Sequence, residues 1–269
     1  QLSIPSNSFA LTVGGNNQST EFSGVIAGTG SLTKVGEGRL TLNGDNTYTA
    51  LTDIRSGSLI VNGSIYSGAQ GANVDSGATL ELTSSNGLAS LSGSGIVVLS
   101  SGTLQLGGGE FDGVISGDGS LLKVGTGTLI LNGANTYRGS TSVDAGVLEI
   151  SNASALGAAT RGAVASATSV APGASLHIVG GSSTDNFLLA EQLALGSSSG
   201  SGEATIQLVS GSATITNPFE LSGNSALVAL SGELLLNNTS SSSASAMVTV
   251  GSSCGSSSSC NLRIGGNPS

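Results

Sequence analysis

The sequence predicts an all-β chain that folds as a solenoid of short stacked strands, and three observations support this fold class. Glycine accounts for 43 of the 269 residues, whereas 3% of the residues are aromatic and 9% are charged. Short segments of alternating apolar and polar residues end at glycine or at Asn-Gly pairs along most of the chain. A long block of sequence also occurs twice. Short strands without large aromatic core residues favour a solenoid over a sandwich or closed barrel.

The repeated block is ungapped, and its two copies start 89 positions apart. The first copy reads LTKVGEGRLTLNGDNTY (residues 32–48), and the second reads LLKVGTGTLILNGANTY (residues 121–137). Weaker similarity extends on both sides of each copy, over residues 22–59 and 111–148. With about 22 residues per coil, this offset corresponds to about four coils and the whole chain to roughly twelve. The block is therefore expected to build coils rather than to carry chemistry.

Strands are predicted wherever apolar residues alternate with small or polar ones. Alternate residues of a strand face the same side, so the leucines of the two copies are expected to point inward. These leucines are Leu40, Leu42, Leu129 and Leu131. The Asn-Thr-Tyr segments that end the copies are expected to form an outer corner. Further strands are predicted at 58–61, 78–82, 95–99, 102–106, 146–150, 174–178, 204–208, 226–230 and 233–236. Residues 1–236 are assigned to the solenoid, and the serine-rich segment 237–269 with its cysteine loop is expected to continue it.

Residues 28–48 and 117–137 resemble the passenger-associated transport repeat of Gram-negative autotransporters, the proteins of type V secretion. The shared pattern is Gly-x-Gly-x-Leu-x-Lys-x-Gly-x-Gly-x-Leu-x-Leu-x-Gly-x-Asn-Thr-Tyr. This resemblance implies a right-handed parallel β-helix that is exported through the periplasm and outer membrane, and is then displayed at the cell surface or released. It also implies that the chain is a passenger fragment, with a C-terminal translocator barrel expected in the full-length protein.

The charge distribution narrows the range of partners. The net charge is −9, and the seven basic residues are scattered along the chain. Nucleic-acid binding depends on clustered cations, so no nucleic-acid partner is expected. No apolar run approaches the length of a transmembrane helix, so this segment is not expected to be embedded in a membrane. The family it resembles contains adhesins, autoaggregation proteins, toxins and proteases, so the fold alone does not fix the activity. For an adhesive member, the resemblance implies as partner a host-cell surface glycan or protein, or another copy of the chain.

Two cysteines, Cys254 and Cys260, flank a short stretch of glycine and serine. In an oxidising compartment they are expected to close a small disulfide loop, and free thiols are the alternative. A zinc site would need further ligands, and His177 is the only histidine. The sequence therefore predicts neither a metal nor a cofactor.

Catalytic residues are not assigned in this sequence. His177 is the only imidazole base that a serine hydrolase could use, and no Gly-Asp-Ser-Gly motif accompanies it. Glu110 and Asp112 are two residues apart, so they would share one face of a strand, as the carboxylate pair of a glycosidase could. They are interpreted as solvated acids beside a glycine corner.

Two insert-like segments, 158–168 and 237–246, are candidate recognition surfaces, because loops that interrupt a solenoid often carry binding. A surface loop without a role is the alternative interpretation. The candidate binding residues of the first segment are Ala158, Thr160, Arg161 and Gly162. The sequence and the resemblance together favour a non-enzymatic passenger that acts in adhesion or bacterial self-association. The alternatives are a structural stalk that presents a catalytic or toxin domain lying outside this chain, and a polysaccharide-active enzyme.

Overall fold

A computed structural model describes the chain over residues 2–4, 10–65, 71–158, 168–180, 187–190, 192–196, 202–217, 219–221, 224–236, 239–241, 247–252 and 260–264. In this part of the chain the regular elements are β-strands that pair in parallel with the next coil. The strands stack as a β-solenoid of about ten turns, close to the roughly twelve expected. The predicted all-β solenoid is therefore confirmed. A search of the described residues for an apolar helix of membrane-spanning length finds none.

The first compact unit comprises residues 1–122 and 135–139, and three ladders of parallel strands run through it. The first ladder contains β2 (Ala10–Val13), β5 (Ser31–Lys34), β8 (Thr52–Ile54), β10 (Gly71–Val74), β12 (Asn86–Gly93) and β14 (Thr103–Phe111). The second contains β3 (Thr20–Phe22), β6 (Arg39–Leu42), β9 (Ser58–Val61), β11 (Thr79–Leu82), β13 (Ile96–Leu99) and β15 (Val114–Gly117). The third contains β1 (Leu2–Ile4), β4 (Ile26–Gly28) and β7 (Thr47–Tyr48).

The second compact unit comprises residues 123–134 and 140–269, and β16 (Ser120–Lys123) crosses the division. One ladder contains β17 (Thr128–Leu131), β19 (Gly146–Ile150), β21 (Ala174–Val179), β24 (Ala204–Ser210), β27 (Asn224–Ala229) and β30 (Met247–Ser252). Another contains β18 (Thr141–Val143), β20 (Thr168–Val170), β23 (Leu193–Leu195), β26 (Phe219–Leu221) and β29 (Thr239–Ser241). The last contains β22 (Phe187–Leu189), β25 (Ala213–Ile215), β28 (Gly232–Leu236) and β31 (Cys260–Ile264). The predicted division at residue 236 stays a prediction.

The core consists of aliphatic side chains stacked in columns, one residue from each coil. One column of the first unit is formed by Leu40, Leu59, Leu80, Val97 and Ile115. The corresponding column of the second unit is formed by Leu129, Leu148, Leu176, Ile206 and Leu227. None of these side chains is more than 4% exposed. Burying each one stabilises the fold by about 1.5–3 kcal/mol, so the columns hold the coils together. The four leucines predicted to face inward are all buried, which confirms their orientation.

Glycine turns the chain at a corner between neighbouring strands. Gly57 and Gly146 have φ angles of +65° and +70°, the left-handed region that other residues rarely adopt. A Cβ atom at Gly57 would lie 2.5 Å from the carbonyl oxygen of Gly36 in the preceding coil. A Cβ atom at Gly146 would lie 2.5 Å from the carbonyl oxygen of Gly125. Both glycines are therefore required for backbone conformation and for the close approach of consecutive coils.

The strand register corrects the predicted relation between the two repeat copies. From Leu32, four successive coils lead to Thr52, Ala72, Leu91 and finally Gly109. The second copy instead begins at Leu121, where the backbone N–H of Ser120 donates to the carbonyl of Gly102, next to the start of β14. The offset is therefore not four whole coils, because these coils are shorter than the 22 residues expected. The second copy begins beside the start of β14, whereas the position reached from Leu32 lies near the end of that strand.

Candidate functional site

Each repeat copy buries a lysine whose ammonium group is bound by backbone carbonyls. Lys34 ends β5, is 1% exposed, and donates to the carbonyls of Val35 at 2.8 Å, Gly36 at 2.7 Å and Ser56 at 3.1 Å. Val35 and Gly36 form the corner of its own coil, whereas Ser56 belongs to the next coil. An ammonium group has three N–H donors, so each donor has one carbonyl partner. We call this arrangement the Lys34 clamp.

Lys123 repeats this geometry in the second copy. It is fully buried at the end of β16 and donates to the carbonyls of Val124 at 2.8 Å, Gly125 at 2.9 Å and Ala145 at 3.1 Å. We call this the Lys123 clamp. Burial lowers the pKa of both lysines below the ordinary value of 10.5, and at Lys34 the nearby Glu37 carboxylate partly opposes the shift. Because the acceptors are all backbone oxygens, the clamps link coils and leave no donor directed at a ligand.

The conserved spacing within the block also places an asparagine inside each copy. Asn46 Oδ1 accepts from the N–H of Ile26 at 2.9 Å, and Asn46 Nδ2 donates to the carbonyls of Gly44 and Ser64 at 2.8 and 3.0 Å. Asn135 Oδ1 accepts from the N–H of Ile115 at 2.8 Å. Each asparagine therefore satisfies a buried backbone group of a neighbouring coil.

The prediction that Asn-Thr-Tyr forms an outer corner is wrong for two of its three residues. Asn46 and Tyr48 are 1% and 0% exposed, and Thr47 alone is exposed. The hydroxyl groups of Tyr48 and Thr52 are 2.7 Å apart and hydrogen-bonded in the interior. The polar side chains turn inward because the corner carries backbone groups that the strand ladders do not pair. Sequence reasoning missed these roles, although an in-register lysine, asparagine and tyrosine within an apolar block were the available signal.

Outward-facing side chains of the first ladder form what we call the outer polar row. Its members occupy the same position in consecutive coils, and they are Asp53, Asn73, Ser92 and Glu110. Thr33 occupies this position in the preceding coil but is only 7% exposed. Asn73 Nδ2 donates to Asp53 Oδ1 at 2.9 Å and to Asp75 Oδ1 at 2.8 Å. Ser92 Oγ donates to Asn73 Oδ1 at 3.3 Å. Side-chain hydrogen bonds between coils therefore fix the positions of these polar groups.

An arginine adds a cation to this row. Arg55 Nε lies 2.7 Å from Asp53 Oδ2, and its side chain is 61% exposed while that of Asp53 is 13% exposed. The hydrogen bond and charge of Asp53 raise the pKa of Arg55, so the guanidinium stays charged. The row thus presents carboxylate, amide, hydroxyl and guanidinium groups side by side, which is suited to hydrogen bonding and offers no nucleophile–base pair.

His177 lies in the second unit between Glu149 and Gln207, its neighbours in the ladder. Its Nδ1 is 3.9 Å from Glu149 Oε2, beyond hydrogen-bonding distance, and its side chain is 22% exposed. Burial lowers the pKa of His177 below 6.5, and the Glu149 carboxylate partly opposes this shift. The ladder places an acid and an amide beside the imidazole, which is not the serine-containing arrangement of a hydrolase.

The pair Glu110 and Asp112 flanks the buried Phe111 at the end of β14. Both acids are exposed, and the N–H of Asp112 donates to the carbonyl of Gly93 at the corner that follows. A glycosidase holds its carboxylates on either side of an enclosed substrate bond. Glu110 and Asp112 instead lie exposed at a corner, and the interpretation as solvated acids stays a prediction.

The candidate binding loop is described only at its two ends. Ala158 is exposed, whereas Thr160, Arg161 and Gly162 lie outside the described residues. Before the loop, Ala155 and Leu156 are buried, and Thr141 Oγ1 donates to the Leu156 carbonyl at 3.3 Å. After it, Thr168 is buried in β20 and pairs with Thr141. The described residues on both sides of the loop are therefore held by buried contacts and by strand pairing. The disulfide stays a prediction, because Cys254 also lies outside the described residues.

A small hollow between coils is lined by Ser85, Asn86, Gly87 and Gln105 and has a volume of about 120 Å³. Small-molecule sites usually occupy about 300–1,000 Å³, so this hollow is too small to enclose a substrate. Asn86 has a structural role, because its Oδ1 accepts a hydrogen bond from the backbone N–H of Ile65 at 3.0 Å. The hollow is therefore a gap between corners rather than an enclosed active site.

Two comparisons with known proteins agree with this organisation. The family description "Passenger-associated-transport-repeat" matches residues 32–61 and 121–150. The chain is also 31% identical over 240 residues to a protein named Adhesin BmaC autotransporter from Brucella suis biovar 1 (strain 1330). That alignment covers 84% of this chain and 6% of the relative, so the chain spans only a small part of that relative's length.

Proposed function

We propose that this chain, an autotransporter passenger segment displayed at the cell surface or secreted, is a non-enzymatic adhesive surface. The outer polar row is the observation that carries this proposal. Parallel strands place its side chains about 4.8 Å apart, and hydrogen bonds from Asn73 to Asp53 and Asp75 fix their orientation. A rigid array of polar groups gives up little conformational entropy when it binds, which favours many weak contacts over one deep pocket.

The chemistry of the row suits a glycan of the host-cell surface. Sugar hydroxyls both donate and accept hydrogen bonds. The row offers a carboxylate acceptor at Asp53, and beside the row Asp75 adds a second carboxylate and Arg55 a guanidinium donor. The similarity to a protein named as an adhesin supports attachment as the activity. A host-cell protein and a second copy of this chain are the other partners to be tested.

The absence of catalysis is part of the same proposal. Glu110 and Asp112 are exposed at a corner, and His177 stands between Glu149 and Gln207. These positions do not enclose a bound substrate, and catalysis depends on groups preorganised around the reacting atoms. The polysaccharide-active enzyme is therefore the weakest of the three functions considered.

The test is attachment of beads coated with the whole chain to cultured cells. We expect saturable attachment that falls at least fivefold in the double variant Asp53→Asn, Asp75→Asn. The matched control is Glu37→Thr, Arg39→Thr, which changes exposed residues of the first copy to those of the second. Loss of attachment after periodate oxidation of the cells identifies a glycan. Attachment that resists periodate but is lost after trypsin identifies a protein.

Self-association is measured on the same variants by sedimentation velocity. A concentration-dependent dimer that the double variant abolishes would replace the glycan with a second copy as partner. A further arm deletes residues 159–167, which assigns attachment to the loop if that deletion alone removes it. Equal attachment of beads carrying the chain and beads carrying albumin would reject the adhesive function.

That negative result would favour the structural stalk, and one observation independently supports this second candidate. The residues shared by the two repeat copies include the buried Lys34, Asn46 and Tyr48, whose partners lie within the fold. A block preserved in its interior serves the scaffold, and on this reading the activity belongs to parts of the protein outside this chain.

A further inference from the structure

The Lys34 and Lys123 clamps have the same unusual arrangement of partners. Each ammonium group donates to two carbonyls of its own corner and to a third carbonyl, which belongs to a residue 22 positions further on. That third residue, Ser56 or Ala145, directly precedes the corner glycine of the next coil. The lysine is therefore fully satisfied only while both coils are in place.

Partial opening would leave a charged group without its full set of acceptors. If the coil that contains Ser56 separates, Lys34 loses one of its three carbonyl partners. A buried ammonium group without compensating hydrogen bonds is strongly unfavourable, so it would leave the interior. Its departure would in turn remove the donors that hold the Val35 and Gly36 carbonyls at the corner. Opening of the next coil thus destabilises the coil that carries the lysine.

We propose that each clamp makes two neighbouring coils open as one cooperative block. The Lys34 block comprises β5, β6, β8 and β9, and the Lys123 block comprises β16, which carries Lys123, together with β17, β18 and β19. A solenoid otherwise depends on contacts between nearest neighbours, which lets it lose coils one at a time. The repeats would then fix two positions at which local opening is suppressed.

This inference deepens the role of the repeats but does not depend on adhesion. Proteases attack a folded chain through local opening, at a rate set by how often the open form occurs. A passenger outside the cell is exposed to such attack. Suppressing the opening of single coils therefore gives the repeated block a function of its own, which is to maintain the folded surface.

Native-state hydrogen exchange of the whole chain tests the proposal without any substitution. Arg55 and Asn62 donate their backbone N–H groups from the second coil of the Lys34 block to Lys34 and Leu42. Val35 and Asn43 donate from the first coil of the block to Val13 and Phe22 of the coil before it. In increasing urea below the unfolding transition, the amides of both coils are expected to converge on one opening free energy and one urea dependence. In the Lys123 block, Ser120, which donates to Gly102, is expected to converge in the same way with Asp144 and Ser151, which donate to Lys123 and Leu131. Separate openings within a block would overturn the proposal.

The variants Lys34→Met and Lys123→Met test whether the lysine ammonium groups cause the cooperative opening. Methionine retains an unbranched side chain and removes the donors. Lys34→Met is expected to accelerate exchange at Arg55 and Asn62 by at least about tenfold, and to leave Asp144 and Ser151 within about twofold of the unmodified chain. Lys123→Met is expected to give the reverse pattern, and the exposed Arg39→Thr variant to change neither pair.

Three results would contradict the cooperative block. Faster exchange confined to the corner residues beside the substituted lysine would make the lysine a local packing residue. Equal acceleration in both blocks would indicate a general loss of stability. Unchanged exchange would remove any role for the ammonium group. If a methionine variant does not fold, the urea dependence measured on the unmodified chain decides the question.

Discussion

The two repeat copies differ on their outside and agree on their inside. Five positions differ between residues 32–48 and 121–137, namely Thr33/Leu122, Glu37/Thr126, Arg39/Thr128, Thr41/Ile130 and Asp45/Ala134. In the first copy all of these except Thr33 are exposed or partly exposed. The lysine, the asparagine, the tyrosine and the paired leucines that are buried in the first copy are also buried in the second. The residues that the two copies share therefore include those that form the interior, whereas most positions that differ lie at the surface.

The surface difference between the copies changes the charged neighbours of the two buried lysines. Burial lowers the pKa of both, and the Glu37 carboxylate opposes the shift at Lys34. The position equivalent to Glu37 in the second copy is Thr126, so Lys123 has no such partner there. Both lysines nevertheless bind three carbonyls with nearly the same distances. Backbone acceptors rather than surface charges therefore determine the geometry.

The largest effect is expected at the corner glycines, with equal losses in the two copies. Gly57→Ala and Gly146→Ala are each expected to lower the free energy of unfolding by about 3 kcal/mol, because alanine adds strain at positive φ and overpacks the coil beneath. The displaced carbonyl at Gly36 or Gly125 also accepts from the clamp lysine. Urea titration monitored by circular dichroism measures the change.

Gly77→Ala is the matched control for this prediction. Gly77 has a φ of +82°, but a Cβ atom there would meet no atom within 4 Å. Its substitution should therefore report strain alone, about 1 kcal/mol. A loss at Gly77 as large as that at Gly57 would show that close coil contact contributes nothing to the requirement for glycine.

The next effect concerns the buried asparagines. Asn46→Ala and Asn135→Ala remove the acceptors of the Ile26 and Ile115 N–H groups, and each is expected to cost about 2 kcal/mol, because an unpaired buried donor loses its hydration without compensation. Thermal unfolding of the two variants measures the loss. Thr47→Ala changes the exposed residue beside Asn46 and should have little effect. A loss in one copy alone would contradict the equivalence of their interiors.

Much of the fold could be predicted from the sequence, whereas the buried polar network could not. Alternation and glycine spacing predicted that Leu40 and Leu129 face inward, because apolar burial is a local pattern. Lys34 is a charged residue, and its burial depends on the carbonyl of Ser56, which only the stacked coil brings near. The predicted coil length was too long for the first unit, where Leu32, Thr52 and Ala72 are ladder neighbours, and too short for the second, where Thr141, Thr168 and Leu193 are. A single repeat offset could not reveal that the coil length changes along the chain. The sequence also predicted a binding loop at 158–168, and this stays a prediction because Thr160 to Gly162 lie outside the described residues.

A small effect is expected from exchanging the surfaces of the copies. The triple variant Glu37→Thr, Arg39→Thr, Asp45→Ala gives the first copy the exposed residues of the second. Its free energy of unfolding should stay within about 0.5 kcal/mol, because exposed substitutions away from caps and networks rarely matter more. Urea titration compares it with the reverse triple variant, Thr126→Glu, Thr128→Arg, Ala134→Asp. A loss above about 1 kcal/mol in either direction would show that these surface residues stabilise the fold.

The smallest effect is expected from His177 of the second unit, which makes the stability depend on pH. Because burial lowers the pKa of His177 below 6.5, the unfolded chain takes up a proton at a higher pH than the folded chain does. The contribution of His177 to stability is thus fully present above pH 6.5 and is lost as the pH falls through the lower, folded pKa. Urea titrations from pH 7.5 to 5 should show a steeper decline for the unmodified chain than for His177→Gln.

Removing Glu149 gives the opposite test of the same cause. Its carboxylate partly restores the pKa of His177, so Glu149→Gln should lower that pKa further and enlarge the pH-dependent loss of stability. The double variant Glu149→Gln, His177→Gln should remove the difference. If Glu149→Gln instead reduces the loss of stability at low pH, attraction between Glu149 and His177 is not what opposes the effect of burial on the pKa of His177.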